Sequence, residues 1–594
     1  MTKVRIGLLL AVLLVLTMSV SGQTAEFRAF WVDAWHSGFE NSTATQSMVT
    51  YSDGANCNAV IVEMRKRGDA YYVSTLEPKG INVTPAAGYD PLTDIISKAH
   101  AAGLDVYAWV VVYRVWTFQT PPDTTSPNHV FNTHPEWFNL TNTGAKFDAT
   151  NNSFLDPGHP GVENFLSSVF MQMINDYDID GFVLDYIRYP GTTWGYNATS
   201  VARYNAEYGL SGSPSYTSTQ WSNWRRDQVT NMVKRIYLEA KAVKPALRMG
   251  AAVWKTAATG NSGYFQNWDT WMSGHILDFS SPMNYTTNNT DFDSNCDNSY
   301  TKQYGRHIYI AQGSYLNTIS NSMWQINDVK TIGFPGVTPY SYYQTNSGTI
   351  DRTGFKSALL AGPFASAATI PTMSWISSPT LGMLKGYVKD AGGTAIYPAT
   401  VTVSSKSTKN SGTGFYGIVD ISPGTYTVNA TATAGSASGQ ATITAGHVTT
   451  LNLTISSVGD IIIDNPSATF TGTWSTGTSS TDKYGADYRY ATTASSETAT
   501  AIWRPSIGAA GTYDVYVWYP QGTNRSIKAP YTVYYNGGSV AVPVNQTANG
   551  GKWNLIASKK SFATGTAGYV KLGNGTAESS KVVMADAVKF VYSP

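Results

Sequence analysis

The sequence predicts an α/β protein, a (β/α)8 TIM barrel followed by two all-β sandwich modules, and three observations carry that prediction. Between Glu26 and about Phe364, short apolar runs alternate with amphipathic stretches eight times over. This is the pattern of parallel strands each returned to the sheet by a helix. After about Ala365 the alternation stops, and Thr, Ser, Val and Gly with turn signals such as Asp390-Ala-Gly-Gly393 take over. Finally, WVDAWHSGF after the first strand contains no Gly-rich phosphate loop, which argues against an open doubly wound sheet.

Residues 1–25 have a basic start at Lys3 and Arg5, an apolar segment from Ile6 to about Leu16 and small residues at Ser21, Gly22 and Ala25. They read as a secretory signal peptide cleaved between Gly22 and Glu26, with an apolar segment too short to span a bilayer. The expected product is secreted, extracellular or held at the cell surface. The predicted barrel occupies 26–364, with strands Phe27 to Asp33, Ala59 to Met64, Val106 to Val112, Gly181 to Ile187, Met249 to Trp254, Ile276 to Met283, Ile308 to Gln312 and Gly333 to Val337. Helix-like stretches between them include Pro91 to Ala102, Gly161 to Tyr177, Trp221 to Val243 and Tyr264 to Ser273, begun by Asp, Ser or Pro and ended near Gly. Segments 381–458 and 460–594 alternate with period two and read as separate β-sandwiches.

Lys plus Arg number 40 against 39 Asp plus Glu, a net charge of +1, which leaves no electrostatic footprint for nucleic acid. Aromatic residues make up 13%, with 38 Tyr and 17 Trp. That mix suits polar, ring-shaped ligands such as sugars, and large aromatic cores account for part of it. Two cysteines, Cys57 and Cys296, give no disulfide framework and are expected at opposite ends of the barrel. No metal or organic cofactor is implied.

In a barrel, chemistry gathers at the C-terminal ends of the strands. The fourth strand, in YDIDGFVLDYIRYP, buries a lone acid, Asp185, in an apolar run, which calls for a functional or paired role. A second carboxyl group comes from Glu63 or Asp33. Glu63 shares strand parity with Arg65, which is expected to hold it ionised as a nucleophile or base. Candidate substrate-binding residues at the same rim are Trp35, His36, Arg65, Trp109, Tyr113, Arg188, Trp254, Asn284 and Tyr285. Paired carboxyl groups are what glycoside hydrolysis uses, one donating a proton and the other attacking or activating water. The alternative is a non-catalytic glycan-binding or adhesion protein on a degenerate barrel.

The stretches FRAFWVDAWHSGF, NAVIVEMRKRGDAYYVSTLEP, YDPLTDIISKAHAAGLDVYAWV, FLDPGHPGV, YDIDGFVLDYIRYP, WRRDQVTNMVKRIYLEAKAVKP and LDFSSPMNY resemble, in order, the glycosyl-hydrolase-like family related to family ten. The resemblance implies a TIM-like barrel and a glycoside hydrolase acting outside the cytoplasm on a polysaccharide or oligosaccharide. Many members carry a second acid where this chain has Tyr186, and Gln where it has Glu63. GYVKDAGGTAIYPATVTV and the segments after it resemble the carboxypeptidase-regulatory-like module, read here as a spacer or wall-proximal module. FTGTWSTG, ATAIWRPSI, GTYDVYVWYP and ADAVKFV resemble the C-terminal domain shared by golvesin and some xanthan lyases, which implies surface or glycan attachment.

Overall fold

The computed structural model describes residues 25–81, 87–455 and 459–593; the expected signal peptide lies almost entirely outside them. Eight parallel strands close into a barrel: β1 Phe27–Val32, β2 Ala59–Arg65, β3 Asp105–Val111, β4 Gly181–Asp185, β5 Arg248–Trp254, β6 Phe279–Asn284, β7 His307–Gln312 and β8 Gly336–Pro339. They pair in chain order, and β1 closes on β8 through Phe27 opposite Gly336. Helices wrap the outside, most of them begun by a side chain that accepts from an otherwise unpaired backbone N–H. Asp90 caps Pro91–Ala101 and Ser218 caps Thr219–Val243. Among the described residues no helix is long and apolar enough to cross a membrane.

The barrel interior is built in layers of large and small residues. At the bottom, the rings of Phe27, Tyr107, Phe279 and Tyr309 meet with centroids 4.3–6.5 Å apart. Space for them comes from glycines on the intervening strands. A Cβ on Gly181 would lie 2.0 Å from the Tyr107 ring, and one on Gly250 would lie 2.2 Å from Phe279. Above them, Trp31 and Trp109 cross edge-to-face at 5.2 Å, and the Trp31 indole N–H donates to Thr338 Oγ1. Trp375, in the segment after the last barrel helix, packs under the barrel and donates to Asp278 Oδ1 at 2.8 Å.

The first sandwich pairs Gly382–Lys389 with Phe415–Ile421, Val448–Thr450 and Leu453–Thr454 over a second sheet formed by Ala399–Val403, Lys406–Lys409, Gly424–Ala432 and Gly435–Ile443. It is no free spacer, because it is bonded into the barrel. Glu163 Oε1 accepts from Arg235 Nη1 at 3.1 Å, Ser411 Oγ at 2.8 Å and Thr413 Oγ1 at 2.9 Å, and Phe415 joins the outer core of the barrel. Lys409 pairs with Glu207 at 2.6 Å. The C-terminal module builds its own core around Trp503, Tyr513, Val515, Tyr531 and Phe590 from antiparallel sheets of four, five and three strands. Of its tryptophans, Trp503 is core, whereas Trp474, Trp518 and Trp553 are half-buried, the last two packed with Tyr484 at the surface.

Candidate functional site

Strand parity decides which side chains enter the barrel. Phe27, Ala29 and Trp31 point inward on β1, Ile61 on β2, Tyr107 and Trp109 on β3, and Val183 on β4. Continuing those rows upward places Asp33, Glu63 and Asp185 on the inward face at the C-terminal mouth. In register, Glu63 lies opposite Trp109, and Asp185 lies opposite Val111, two residues higher. With strands about 4.8 Å apart and a rise of about 3.3 Å per residue, the backbone positions of these two acids are roughly 11 Å apart, and both side chains are directed inward. The Tyr340 hydroxyl, just beyond β8, has its pKa pushed well above the ordinary range by burial and then by the fields of neighbours that include all three acids. The mouth therefore gathers Asp33, Glu63 and Asp185 around one phenol.

The three carboxyl groups have different surroundings. Asp185 Oδ2 accepts from the Trp109 indole N–H at 3.2 Å and Oδ1 from the Tyr186 backbone N–H at 2.6 Å, with Arg188 Nη1 at 3.6 Å. Tyr186 holds φ at 48°, a left-handed conformation that non-glycine residues adopt at some cost, and it turns the chain sharply after the acid. Asp33 Oδ1 accepts from the Trp35 backbone N–H at 2.9 Å and bonds the His36 ring at 2.8 Å, an interaction that raises the histidine pKa. Glu63 is fully buried. Its Oε2 accepts from the Ala34 N–H at 2.8 Å, while Oε1 has no hydrogen-bond partner. Burial pushes its pKa up to about 8, against the smaller opposing effects of the Ala34 bond and the Arg114 and Lys66 charges.

Arg65 does not ionise Glu63. Its guanidinium is fully buried, forks onto Glu77 with contacts of 2.7–3.0 Å, and donates to the carbonyls of Val111 and Val112. The reason is an irregularity in the register. Glu63 pairs with Trp109 and Arg65 with Val110, so Met64 is an extra residue and Arg65 turns to the outer face. Two more candidates also sit away from the mouth. Tyr113 is buried in the outer core. Asn284, one residue out of inward parity, donates to the Phe292 carbonyl at 2.9 Å and accepts from Asn295.

The remaining candidates do face the mouth. Trp109 is an interior tryptophan that holds Asp185 in place and has only 5% of its surface exposed. Trp254 stacks on Tyr264 at 4.2 Å, with the Arg188 guanidinium 5.7 Å from its ring. Tyr285 packs beside Tyr315 and Tyr340. Trp35 is 36% exposed, His36 stacks on Tyr343, and the Trp35 ring is met by Lys66, Arg67 and Arg114 at 4.3, 5.2 and 5.8 Å. Lys66, Arg114 and Tyr340 are not among the binding candidates drawn from sequence. Arg114 and Tyr340 follow their strands directly, and the sequence already places both among the polar residues at the strand ends, although not among the substrate-binding candidates.

The pattern of the Glycosyl hydrolase-like 10 family matches residues 26–323, and that of the Golvesin C-terminal domain matches residues 461–592. The chain is 26% identical over 397 residues to "Glycosyl hydrolase YngK" of Bacillus subtilis (strain 168), covering 59% of this chain and 74% of the relative. It is 26% identical over 258 residues to "Glycosyl hydrolase DigH" of Escherichia coli (strain K12), covering 38% of this chain and 54% of the relative. The C-terminal region is 36% identical over 135 residues to "Xanthan lyase" of Bacillus sp. (strain GL1), covering 22% of this chain and 14% of that protein. The chain thus spans about half of the Escherichia coli relative and a small part of the lyase.

Proposed function

We propose, from the premise that this chain belongs to the Glycosyl hydrolase-like 10 family, that it is a secreted glycoside hydrolase cleaving O-glycosidic bonds of an extracellular or cell-wall polysaccharide. The supporting observation is that two carboxyl groups, Asp185 and Glu63, share the inward face of the barrel mouth in opposite surroundings. Glu63 sits where water does not stabilise its charge, so it keeps its proton at neutral pH and has one oxygen free of protein partners; it is the general acid. Asp185 faces N–H donors and a guanidinium, the company of a carboxylate that accepts, and it serves as the nucleophile or the base for water. Asp33 fixes His36 at the rim. The aromatic rings of Trp35, Tyr285 and Tyr340 supply faces for sugar rings. The C-terminal module keeps the enzyme on its polysaccharide or cell surface, raising the effective substrate concentration.

A second reading, glycan binding without cleavage, draws on the absence of any exposed surface on Glu63. The two readings separate in one experiment. Purified protein is incubated with a panel of bacterial polysaccharides, and new reducing ends are counted. The enzyme reading expects release by the wild type, reduced about 10²- to 10⁴-fold in both Asp185→Asn and Glu63→Gln. It also expects an alkaline limb near pH 8 as Glu63 loses its proton. Binding without release, or undiminished release by both variants, would overturn it.

A further inference from the structure

Two cations at the mouth are left with donors that the acids do not satisfy. Arg114 opens the short strand Arg114–Trp116 just past β3, and Arg188 lies three residues beyond Asp185. Both guanidiniums lie against the same ring: Cζ is 4.1 Å from the Tyr186 centroid for Arg114 and 4.3 Å for Arg188. Arg114 Nη1 donates to the Tyr186 hydroxyl at 2.9 Å, while its Nε is buried with no acceptor. Arg188 Nη1 is also buried and makes no hydrogen bond, its Asp185 contact being a 3.6 Å ion pair.

Like charges that share one ring repel each other, and buried N–H groups without acceptors are costly to hold. The acids nearby do not balance them. Asp33 is bonded to His36 and the Trp35 N–H, and the buried Glu63, protonated at neutral pH, brings no charge. Among the described residues Arg114 makes no ion pair, and Arg188 has only its 3.6 Å pair with Asp185. Lys66 and Arg67 add positive charge next to the Trp35 ring, although Lys66 donates to the Ala34 carbonyl and Arg67 pairs with Asp69. What this arrangement lacks is an acceptor of negative charge. The planar fork of arginine fits a carboxylate better than it fits a neutral hydroxyl.

We infer that the mouth takes a glycan bearing carboxylate groups, and that Arg114 and Arg188 read that charge while Trp35 and Tyr186 present rings to the sugar. This rests on the glycoside-hydrolase reading only for placing a sugar at the mouth. Its test is binding rather than turnover. Titration calorimetry with the full chain compares oligosaccharides of polyglucuronate and of hyaluronate with the same compounds after chemical reduction of their carboxyl groups. The acidic form of at least one pair is expected to bind about tenfold or more tightly than its reduced form. That preference should shrink as salt is raised and should be lost in Arg114→Gln with its melting temperature kept. Equal binding of both forms in both pairs, absence of binding included, overturns the inference, as does a preference that survives in the folded Arg114→Gln protein. Should that variant fail to fold, the wild-type preference and its salt dependence decide alone. Acidic preference without cleavage of any glycan would sink the hydrolase reading and keep this one; cleavage of neutral glycans with no preference would do the reverse.

Discussion

Replacing Glu63 with Gln should flatten part of the pH dependence of stability, and the size of the effect follows from how the side chain is buried. An unfolded glutamate titrates near 4.5, whereas in the folded barrel burial moves Glu63 up to about 8. Below pH 4.5 the group is protonated in both states and adds no slope. Between 4.5 and about 8 the folded state holds a proton that the unfolded state has lost, so stability falls as pH rises, by about 1.4 kcal/mol per unit for this group alone. Above about 8 both states are ionised and the accumulated loss, of the order of several kcal/mol, stays constant. The glutamine side chain in Glu63→Gln keeps an oxygen for the Ala34 N–H and carries no charge, so its contribution does not change with pH. Urea denaturation of wild type and Glu63→Gln in parallel, at intervals from about pH 4.5 to about pH 9, gives the difference, which below about pH 7 is that of Glu63 and nearer pH 8 includes the response of Lys66, whose charge interacts with it. The variant should gain on the wild type through the acid-to-neutral range and then run level above about pH 8. Parallel curves across the whole range would refute both the raised pKa and the role of Glu63 as a group protonated at neutral pH.

Three further outcomes follow from the same geometry. Arg235→Ala should cost about 3–5 kcal/mol by leaving Glu163 and Glu239 buried without their cation, and should loosen the first sandwich from the barrel; calorimetry and limited proteolysis near Gly412 read both effects. Trp109→Phe removes the indole N–H that holds Asp185 but keeps a ring in the layer, so kcat should fall about tenfold or more with a smaller change in melting temperature; an unchanged rate would remove Trp109 from positioning that acid. Deleting residues 460–594 should leave the melting of the barrel within about 1 kcal/mol of the full chain, because that module has a core of its own, while weakening retention on insoluble glycan in a pull-down; a destabilised barrel would contradict the separation.

The fold was legible because its signals are local. All eight barrel strands can be read from short apolar runs, with ends within three residues of those observed, and the Asp90 and Ser218 caps announce their helices. The helices that escaped notice, such as Asn289–Tyr300 and Ile319–Ile332, are rich in Asn, Ser, Thr and Asp; their stability comes from caps at Asn288 and Thr318 and from packing, which propensity does not report.

The site was legible only as far as parity holds. Counting by twos correctly places Asp33, Glu63 and Asp185 on one face, but it also places Arg65 beside Glu63, and there a single extra residue at Met64 breaks the count. The consequence is chemical as well as geometric. With Arg65 turned outward onto Glu77, no cation is hydrogen-bonded to Glu63, and a group expected to be held ionised instead keeps its proton. One inserted residue in β2 thus exchanges the roles that parity alone would assign to the two carboxyl groups. Deleting Met64 would make Arg65 follow Glu63 directly in a regular strand, which still turns it to the outer face, so the Glu63 pKa and the alkaline limb of activity should stay where they are; a limb moved to lower pH would refute this account of the register.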